Sequence, residues 1–424
     1  MDAPATATVL TEAPAAPGSP GVEFIALVAL TTSLVAMSID TMLPALGTMA
    51  TELGAAHVND RQLILSAFFG GLSFGQLLYG PVSDSTGRKP PLFFGIGLFI
   101  AGTLLCALTQ SFSLLLLGRA LAGFGAAGPR IVSVALVRDV YAGRAMARVM
   151  SFVSTVFILV PVLAPTIGQG VLAVASWRFI FAGLVVIAVL NWLWFALRQP
   201  ETLPTDRRVP FSLRRIARGT VQVLRTPLTL GYMLGNGVIF AAFISYLSTA
   251  QQIFQEQYSL GKLFPVVFGM LASAIGVASF VNGRLVMRFG MRQLSRLALL
   301  CACALSTLGF AAAWLWHGHP PLAALLAYML PCFFFNGILF GNFNARAMEP
   351  MGRIAGLAAA VTGSVGGLVA LAIGTGFGRA YDGTVLPLIA GYLTCGLLAL
   401  AVTTWAERAN APLRALESFN VQGE

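Results

Sequence analysis

Residues 80–89 read GPVSDSTGRK, and residues 283–292 read GRLVMRFGMR. Each segment lies between two long apolar runs, and in each segment a second glycine follows the first by seven positions. At this offset of 203 residues, Lys89 stands opposite Arg292 and Asp84 stands opposite Met287. Such an internal duplication is typical of transporters built from two similar halves. The second copy has kept the turn and lost the acid.

The composition around this repeat excludes a soluble protein. Of the 424 residues, 57% are apolar and only 10% are charged, against about 25% charged residues in a typical soluble domain. The net charge of +10 does not indicate a nucleic-acid partner, because the basic residues lie in short gaps between apolar runs and not on one exposed face. We therefore expect an integral membrane protein.

Long runs without Asp, Glu, Lys or Arg predict the membrane spans, since about 20 apolar residues cross a bilayer. Eight such runs are 62–83, 90–118, 149–177, 179–197, 226–255, 263–283, 354–378 and 384–406. A ninth apolar stretch, 297–345, is divided by the turn sequence HGHPP at 317–321. Two further spans carry charge: 24–50 contains Asp40, and 113–137 contains Arg119 and Arg130. The sequence thus predicts twelve spans.

The distribution of basic residues predicts the orientation. With both termini in the cytoplasm, only Arg61, Arg178, Lys262 and Arg379 fall outside, and almost all other basic residues lie in inner loops. We expect a disordered cytoplasmic tail at 1–22, a six-helix bundle at 23–198, a basic cytoplasmic linker at 199–226, a second bundle at 227–408 and a cytoplasmic tail at 409–424.

Four segments together resemble one family. The 80–89 segment is similar to the loop signature of the major facilitator superfamily. Residues 38–46 (SIDTMLPAL), 118–129 (GRALAGFGAAGP) and 164–169 (APTIGQ) resemble the first, fourth and fifth helices of its twelve-span drug:proton antiporters, the Bcr/CflA branch being the most similar. The chain departs from the family pattern at Ser85, where many members carry a basic residue, and at Gln169, where a glycine is common.

The resemblance implies an all-α polytopic fold of two six-helix bundles, related by an axis along the membrane normal, with a substrate cavity between them. It also implies a multi-pass protein of the bacterial inner (cytoplasmic) membrane. Its partners would be a small-molecule substrate, protons and the lipid bilayer. We expect a monomer without a cofactor, driven by the proton gradient.

Asp40 is the acid that lies well inside an apolar span. A carboxylate in that position costs about 2.5 to 3.5 kcal/mol on insertion scales, so such a group is a functional candidate by default. Burial disfavours its charged form, which suits the binding and release of a proton. By resemblance, the aspartate of this motif takes part in coupling. The alternative is a carboxylate that is merely paired with a donor or wetted by a cavity.

Arg119 and Arg130 are eleven residues apart, which places them about 20° apart on a helix. Their shared face cannot face lipid and should line the cavity or meet a polar surface. The resemblance links Arg119 to proton transfer. For both residues a structural arginine bonded to backbone carbonyls is the alternative.

The loop motif comprises Gly80, Asp84, Gly87, Arg88 and Lys89, with Asp139 at the end of span 4. The resemblance implies that Asp84, Arg88 and Asp139 form an ion-pair latch between spans 2, 3 and 4 that holds the outward-open state, and the glycines permit a tight turn. The alternative is that Arg88 and Lys89 only set the topology.

Two further sets of residues are candidates. Pro161, Pro165 and Gly168 suit a bent fifth span, and by resemblance this block is associated with antiport. Polar residues of spans 7 and 10 could line a cavity or form ordinary interhelical hydrogen bonds: Tyr246, Gln251, Gln252, Asn336 and Asn344.

These features favour proton-coupled efflux of small amphiphilic compounds by alternating access. The alternative within transport is a proton symporter or facilitator for a small nutrient. A membrane-embedded enzyme or receptor is a second alternative, but an intramembrane hydrolase would need a second acid or a histidine near Asp40. Neither the histidines in the predicted outer loops nor the five cysteines have a spacing typical of metal ligands.

Overall fold

The computed structural model describes residues 21–421, with side chains for 21–352 and 354–411. Within these residues the chain consists of helices and connecting loops, without a strand. Twelve helical segments are long and apolar enough to cross a membrane: Val22–Glu52, Val58–Thr86, Lys89–Leu108, Phe112–Val140, Gly143–Val174, Arg178–Arg198, Pro227–Gln257, Gly261–Phe289, Met291–Leu315, Leu322–Gly352, Ala355–Arg379 and Leu386–Ala411. We call them spans 1 to 12. The prediction of twelve spans in an all-α fold is confirmed.

The two halves repeat the same helix contacts. In the first half span 4 packs against spans 2 and 3, span 1 against span 5, and span 3 against span 6. Each of these pairs recurs six spans later, as 10 with 8 and 9, 7 with 11, and 9 with 12. The duplication in the sequence is therefore also a duplication of the packing, as expected for two similar six-helix bundles.

Glycines in span 4 explain why the first bundle is tightly packed. A side-chain carbon at Gly123 would overlap the backbone of Phe68 in span 2, and one at Gly125 would overlap the backbone of Gly95 and Phe99 in span 3. Without Cβ atoms the helix backbones approach closely, which is how small residues drive helix association in lipid. These glycines serve packing between spans.

Span 1 is interrupted immediately after Asp40. Its first helix, Val22–Asp40, ends there, a short 3₁₀ segment follows at Leu43–Ala45, and a second helix runs over Leu46–Glu52. Pro44 is the second residue of the 3₁₀ segment and has no backbone N–H to donate, which favours a break at this position. Asp40 is thus the C-terminal residue of a half-helix that ends inside the membrane.

The linker contains ordered structure that the sequence analysis did not predict. A short 3₁₀ turn at Thr205–Arg207 precedes a helix at Leu213–Arg225, whose first turn is capped by the Ser212 hydroxyl. The helix of span 12 continues to Val421. The disordered tail predicted for 1–22 lies outside the described residues except for its last two positions.

Candidate functional site

A cavity of about 800 Å³ lies between the two halves. Its walls come from spans 1, 2, 4 and 5 of the first half and from spans 7, 8, 10 and 11 of the second. We call the end of the molecule that carries Asp84, Arg138 and the linker the basic end, and the opposite end, with Arg61 and Arg379, the distal end. The cavity reaches from Asp40 to the basic end, where linker residues 209–212 also line it.

Polar contacts between the halves close the distal end. The Arg61 guanidinium donates to the side-chain oxygen of Gln251 over 2.7 Å and forms an ion pair with Glu256. Beside it, the Gln62 amide donates to Gln252 at 3.0 Å and to the backbone oxygen of Gly378 at 2.7 Å. The distal seal also includes the contacts of Asp60 with Arg379, Asn59 with Gln252, and Gln169 with Gln255. The cavity is therefore accessible from the basic end.

Asp40 lies in the wall of this cavity. It is only 5% exposed, and among the residues with described side chains none forms an ion pair or hydrogen bond with its carboxylate. The buried phenol of Tyr246, from the other half, lies within electrostatic range, and its hydroxyl is also without a described partner. Asp40 thus faces the opposite half with no neighbouring cation to hold its charge.

The two intramembrane arginines occupy different environments. Arg130 lines the cavity with an exposed side chain and has no hydrogen bond or ion pair with any described residue. Arg119 is fully buried inside the first bundle and does not line the cavity, although the two residues lie on one helix face. Only Arg130 is therefore placed to meet a substrate directly.

Arg119 is held by spans 1 and 2. Its guanidinium lies 4.4 Å from the centroid of the Phe68 ring and donates to the Ser38 hydroxyl over 2.9 Å and to the backbone oxygen of Ile64 over 3.3 Å. One terminal nitrogen is buried without a partner among the described residues. Because Ser38 is one of the last residues of the half-helix that ends at Asp40, Arg119 connects span 4 to the segment that carries the acid.

An aromatic wall forms the second half's side of the cavity, and sequence reasoning missed it. Its rings pack edge to face, tilted or stacked, with centroids 4.7 to 6.2 Å apart, and belong to Phe240, Phe243, Tyr246, Phe268, Phe333 and Phe340. The signal was present in span 7, where residues 240, 243 and 246 recur on one helix face. Such a surface suits an apolar or aromatic ligand.

The polar residues predicted to line the cavity divide into three groups. Tyr246 and Asn344 line it. Gln251 and Gln252 instead belong to the distal seal, because span 7 carries them beyond the cavity to the end where the halves touch. Asn336 is buried in span 10, outside the cavity lining, with its amide nitrogen unpartnered among the described residues.

The loop motif forms the predicted ion pairs at the basic end. Arg88 lies 2.6 Å from Asp84 and 2.6 Å from Asp139, so it joins spans 2 and 4 at the start of span 3. Burial alone would lower the pKa of Arg88, but the two carboxylates outweigh it and raise that pKa. At Gly87, φ is +99°, a conformation that favours glycine, and an added side chain would contact Glu201.

Glu201, the third residue of the linker, binds the same turn. Its carboxylate accepts backbone N–H bonds of 2.8 to 3.0 Å from Arg88, Lys89, Thr202 and Leu203. Burial alone would raise the pKa of this carboxyl, but the four donors outweigh it and hold the pKa below its ordinary value. Two of these donors belong to the first turn of span 3, so Glu201 acts as a cap supplied from a distant segment.

The second half has its own ionic network at the basic end. Arg346 of span 10 pairs with Glu407 of span 12, which also accepts a 2.8 Å bond from the Tyr232 hydroxyl and lies 3.2 Å from Arg292. The repeat places Met287 where the first half has Asp84, and Met287 is exposed. Glu407 therefore supplies from another span the acid that the second loop has lost.

Span 5 contacts span 1 at the break that follows Asp40. A side-chain carbon at Gly168 would overlap the carbonyl oxygen of Thr41, so the two backbones touch there. Pro161 lines the cavity and Pro165 is buried, within one continuous helix, Gly143–Val174. Gln169 accepts a 3.3 Å bond from Gln255 and so contributes to the distal seal. The block predicted from Pro161, Pro165 and Gly168 thus lies toward the closed, distal end of the cavity.

Comparison with known proteins identifies the family. A family model described as the Major Facilitator Superfamily matches residues 28–375. The chain belongs to the major facilitator superfamily. It is 33% identical over 330 residues to a Bacillus subtilis superfamily protein named uncharacterized MFS-type transporter YdgK, an alignment that covers 77% of this chain and 81% of the relative. The bicyclomycin resistance protein homolog of Haemophilus influenzae is 29% identical, with 81% and 85% covered.

Solved structures of the superfamily have the same fold. A crystal structure of a D-xylose-proton symporter superposes with a TM-score of 0.71 at 14% identity, covering 91% of this chain and 96% of that one. Membership makes the protein a multi-pass membrane transporter for a small molecule and not an enzyme. Its relatives are consistent with the Bcr/CflA-like branch.

In this protein the ion pairs of the loop motif lie at the basic end, which is also the end that the cavity reaches. The contacts of Arg88 with Asp84 and Asp139 lie wholly within the first half. They can therefore persist whether the halves are apart or together at the basic end. The predicted role in holding the outward-open state would require a further contact to the second half.

Proposed function

We propose that the protein exports small amphiphilic compounds in exchange for protons by alternating access. The observation that carries this proposal is the position of Asp40. Among the described side chains it has no ion-pair or hydrogen-bond partner, and it lies in the wall of a cavity between the two halves, beside the end where those halves are in contact. Burial costs little free energy when a carboxylate is neutral and much when it is charged. Two conformations that bury it to different extents therefore change in relative free energy when it binds or releases a proton.

The nature of the walls supports an amphiphilic substrate. The aromatic wall offers apolar surface, while Arg130, Asn344 and Asp40 offer polar groups at separate points. A volume of about 800 Å³ lies in the range of sites that enclose drug-sized ligands, about 300 to 1,000 Å³. The relative named for bicyclomycin resistance points to the same class of compound.

We assign the basic end and both termini to the cytoplasmic side of the bacterial inner membrane. The positive-inside bias supports this orientation. In the described conformation the cavity then faces inward, where an exporter collects its substrate. A proton would reach Asp40 from outside when the distal seal opens. The proton would leave Asp40 when substrate binds from inside. We propose that the protein acts as a monomer and needs no cofactor.

The test uses purified protein in liposomes with an imposed pH gradient and a panel that includes bicyclomycin and chloramphenicol. We expect the gradient to drive substrate movement against the proton flow. Asp40→Asn should abolish this coupling, because the amide cannot exchange a proton, while leaving substrate binding measurable. Asp206→Asn, which changes an exposed linker acid, is the matched control and should behave like the wild type.

The sign of the pH change distinguishes the alternatives. An exporter releases protons into the compartment from which it takes substrate, whereas a proton symporter for a nutrient removes them, and a facilitator leaves the pH unchanged. Coupled transport by Asp40→Asn at the wild-type rate would refute the role given to Asp40. Substrate and protons moving in the same direction would refute antiport.

A further inference from the structure

The linker helix, Leu213–Arg225, is attached to the second half along one narrow side. Gly219 contacts Leu357 of span 11, and Val223 is buried in a cluster with Met233, Ala358 and other residues of spans 7 and 11. Span 7 begins at Pro227, two residues after the helix ends. The helix therefore lies at the level where the chain enters the membrane.

A second side of this helix is apolar and exposed. Leu213 is 70% exposed, Val221 46% and Leu224 39%, and Ala217 beside them is exposed too. At 100° per residue these four positions fall within an arc of about 80° that is separate from the buried side. A surface of this kind is unfavourable in water, and its contiguity indicates a partner.

Three arginines border the exposed apolar arc. Arg214, Arg225 and Arg218 follow it within the next 60° or so of the helix surface. All three are exposed, and none pairs with an acid among residues whose side chains the structure describes. The sequence from 212 to 226 contains no Asp or Glu at all. The helix thus offers an apolar strip and a row of unneutralised positive charge side by side.

This combination matches the headgroup region of a bilayer that contains anionic phospholipid. Helices that lie in this interface bury an apolar face by several ångströms and place Arg or Lys among the phosphates. An acidic protein would satisfy the arginines, but it would leave the strip at the membrane level unmatched. The surrounding lipid satisfies both surfaces at once.

We infer that the linker helix is a binding site for anionic phospholipid, with Leu213, Ala217, Val221 and Leu224 inserted and Arg214, Arg218 and Arg225 on the headgroups. The site has a consequence for the cavity. Glu201 and Val209 tie the preceding segment to the first half, since the Val209 backbone N–H donates to the backbone oxygen of Asp84 over 2.9 Å, and residues 209–212 line the cavity mouth. Lipid on the helix fixes the other end of that segment.

The experiment places the full-length protein in nanodiscs of phosphatidylcholine, with or without phosphatidylglycerol of the same acyl chains. Hydrogen–deuterium exchange is then measured on the amides of the linker helix. Each arginine near an anionic surface strengthens the interaction about fivefold, so we expect phosphatidylglycerol to slow exchange by about tenfold or more in the wild type. High salt should reduce this protection, because the headgroup contacts are exposed.

Three variants make the result specific. R214Q/R218Q/R225Q should lose the lipid-dependent protection, R214K/R218K/R225K should retain it, and R144Q/R148Q, which changes exposed basic residues of span 5, should behave like the wild type. Unchanged exchange in spans 2 and 11 verifies that each variant is folded. Equal protection in both nanodiscs, full protection of the glutamine variant, or protection by inorganic phosphate alone would each overturn the inference.

Discussion

At the scale of single residues, the site depends on how Asp40 is positioned and not only on its presence. The acid ends a half-helix, and the backbone that follows it rests on Gly168 of span 5. No cation neutralises the carboxylate among the described side chains. The free energy of the charged carboxylate therefore depends on small displacements of span 1, and the contact with span 5 restricts those displacements.

Gly168→Ala should destabilise the protein and slow transport. The added methyl group would overlap the Thr41 carbonyl oxygen, so span 1 must shift next to Asp40; overpacking of this kind costs about 1 to 3 kcal/mol. Thermal unfolding in detergent and proton-driven uptake are the measurements. Gly170→Ala is the control, since a methyl group there has no neighbour within 4 Å. Indistinguishable behaviour of the two variants would contradict this assignment.

At the scale of elements, the linker is a structural part of the site. It caps span 3 through Glu201, pairs with the end of span 2 through Val209, passes the cavity mouth and packs its helix on span 11. Its basic composition alone predicted only a cytoplasmic linker. The linker is the covalent bridge between the halves, and these contacts tie it to both of them.

The attachment of the linker to span 3 should weaken in acid. Because the folded-state pKa of Glu201 lies below its ordinary value, its stabilising contribution is complete at neutral pH. It is lost as the pH falls from the ordinary value of about 4.3 through the lower folded value. Exchange of the Arg88 and Lys89 amides, corrected for intrinsic rates, should therefore accelerate on acidification.

Two variants test the assignment to Glu201. Glu201→Gln should already show faster exchange at neutral pH and no further change in this range. Asp206→Asn should retain the wild-type profile, since Asp206 is exposed and makes no hydrogen bond among the described residues. A profile that Glu201→Gln leaves unaltered would mean that another group titrates.

At the scale of the whole molecule, the two halves are joined at the distal end by polar contacts, and spans 2 and 11 stay in contact from there to Gly80 and Ala360. Spans 2 and 11 touch near the distal end through the Ser66 and Thr375 hydroxyls, 2.8 Å apart, and Gly269 of span 8 faces Val162 of span 5. The distal seal around Arg61 thus stabilises the conformation in which the cavity is accessible from the basic end.

Arg61→Gln should shift the population toward the outward-facing conformation. Removing an ion pair between the halves is worth about 1 kcal/mol, or roughly fivefold in population. The measurement is labelling of a cysteine at Tyr246 by a membrane-impermeant reagent from the distal side, with the native cysteines replaced. Arg178→Gln is the matched control, because Arg178 pairs with Glu52 at the same end but within one half. Equal labelling of both variants would exclude a gating role for Arg61.

Most of the fold could be predicted from the sequence, whereas the site could be predicted only in part. Asp40, Arg130, Tyr246 and Asn344 line the cavity, which agrees with the rule that polar groups in apolar spans avoid lipid. Arg119 also avoids lipid, but it does so inside the first bundle. The rule alone therefore could not decide which of the two arginines lines the cavity. For Gln251 and Gln252 the sequence left cavity lining and interhelical hydrogen bonds both open, and these residues form hydrogen bonds in the distal seal because span 7 carries them beyond the cavity.

The sequence by itself determined the twelve spans, the duplication, the family and the presence of an intramembrane acid. These properties follow from hydropathy, span length and short motifs, all of which are local along the chain. Only the tertiary structure decided which end of the cavity is closed, that Glu201 caps span 3, and that an aromatic wall faces Asp40. Those features depend on contacts between residues more than a hundred positions apart, such as Arg61 with Glu256, and lipid-facing helices carry no strong polar pattern that would encode them.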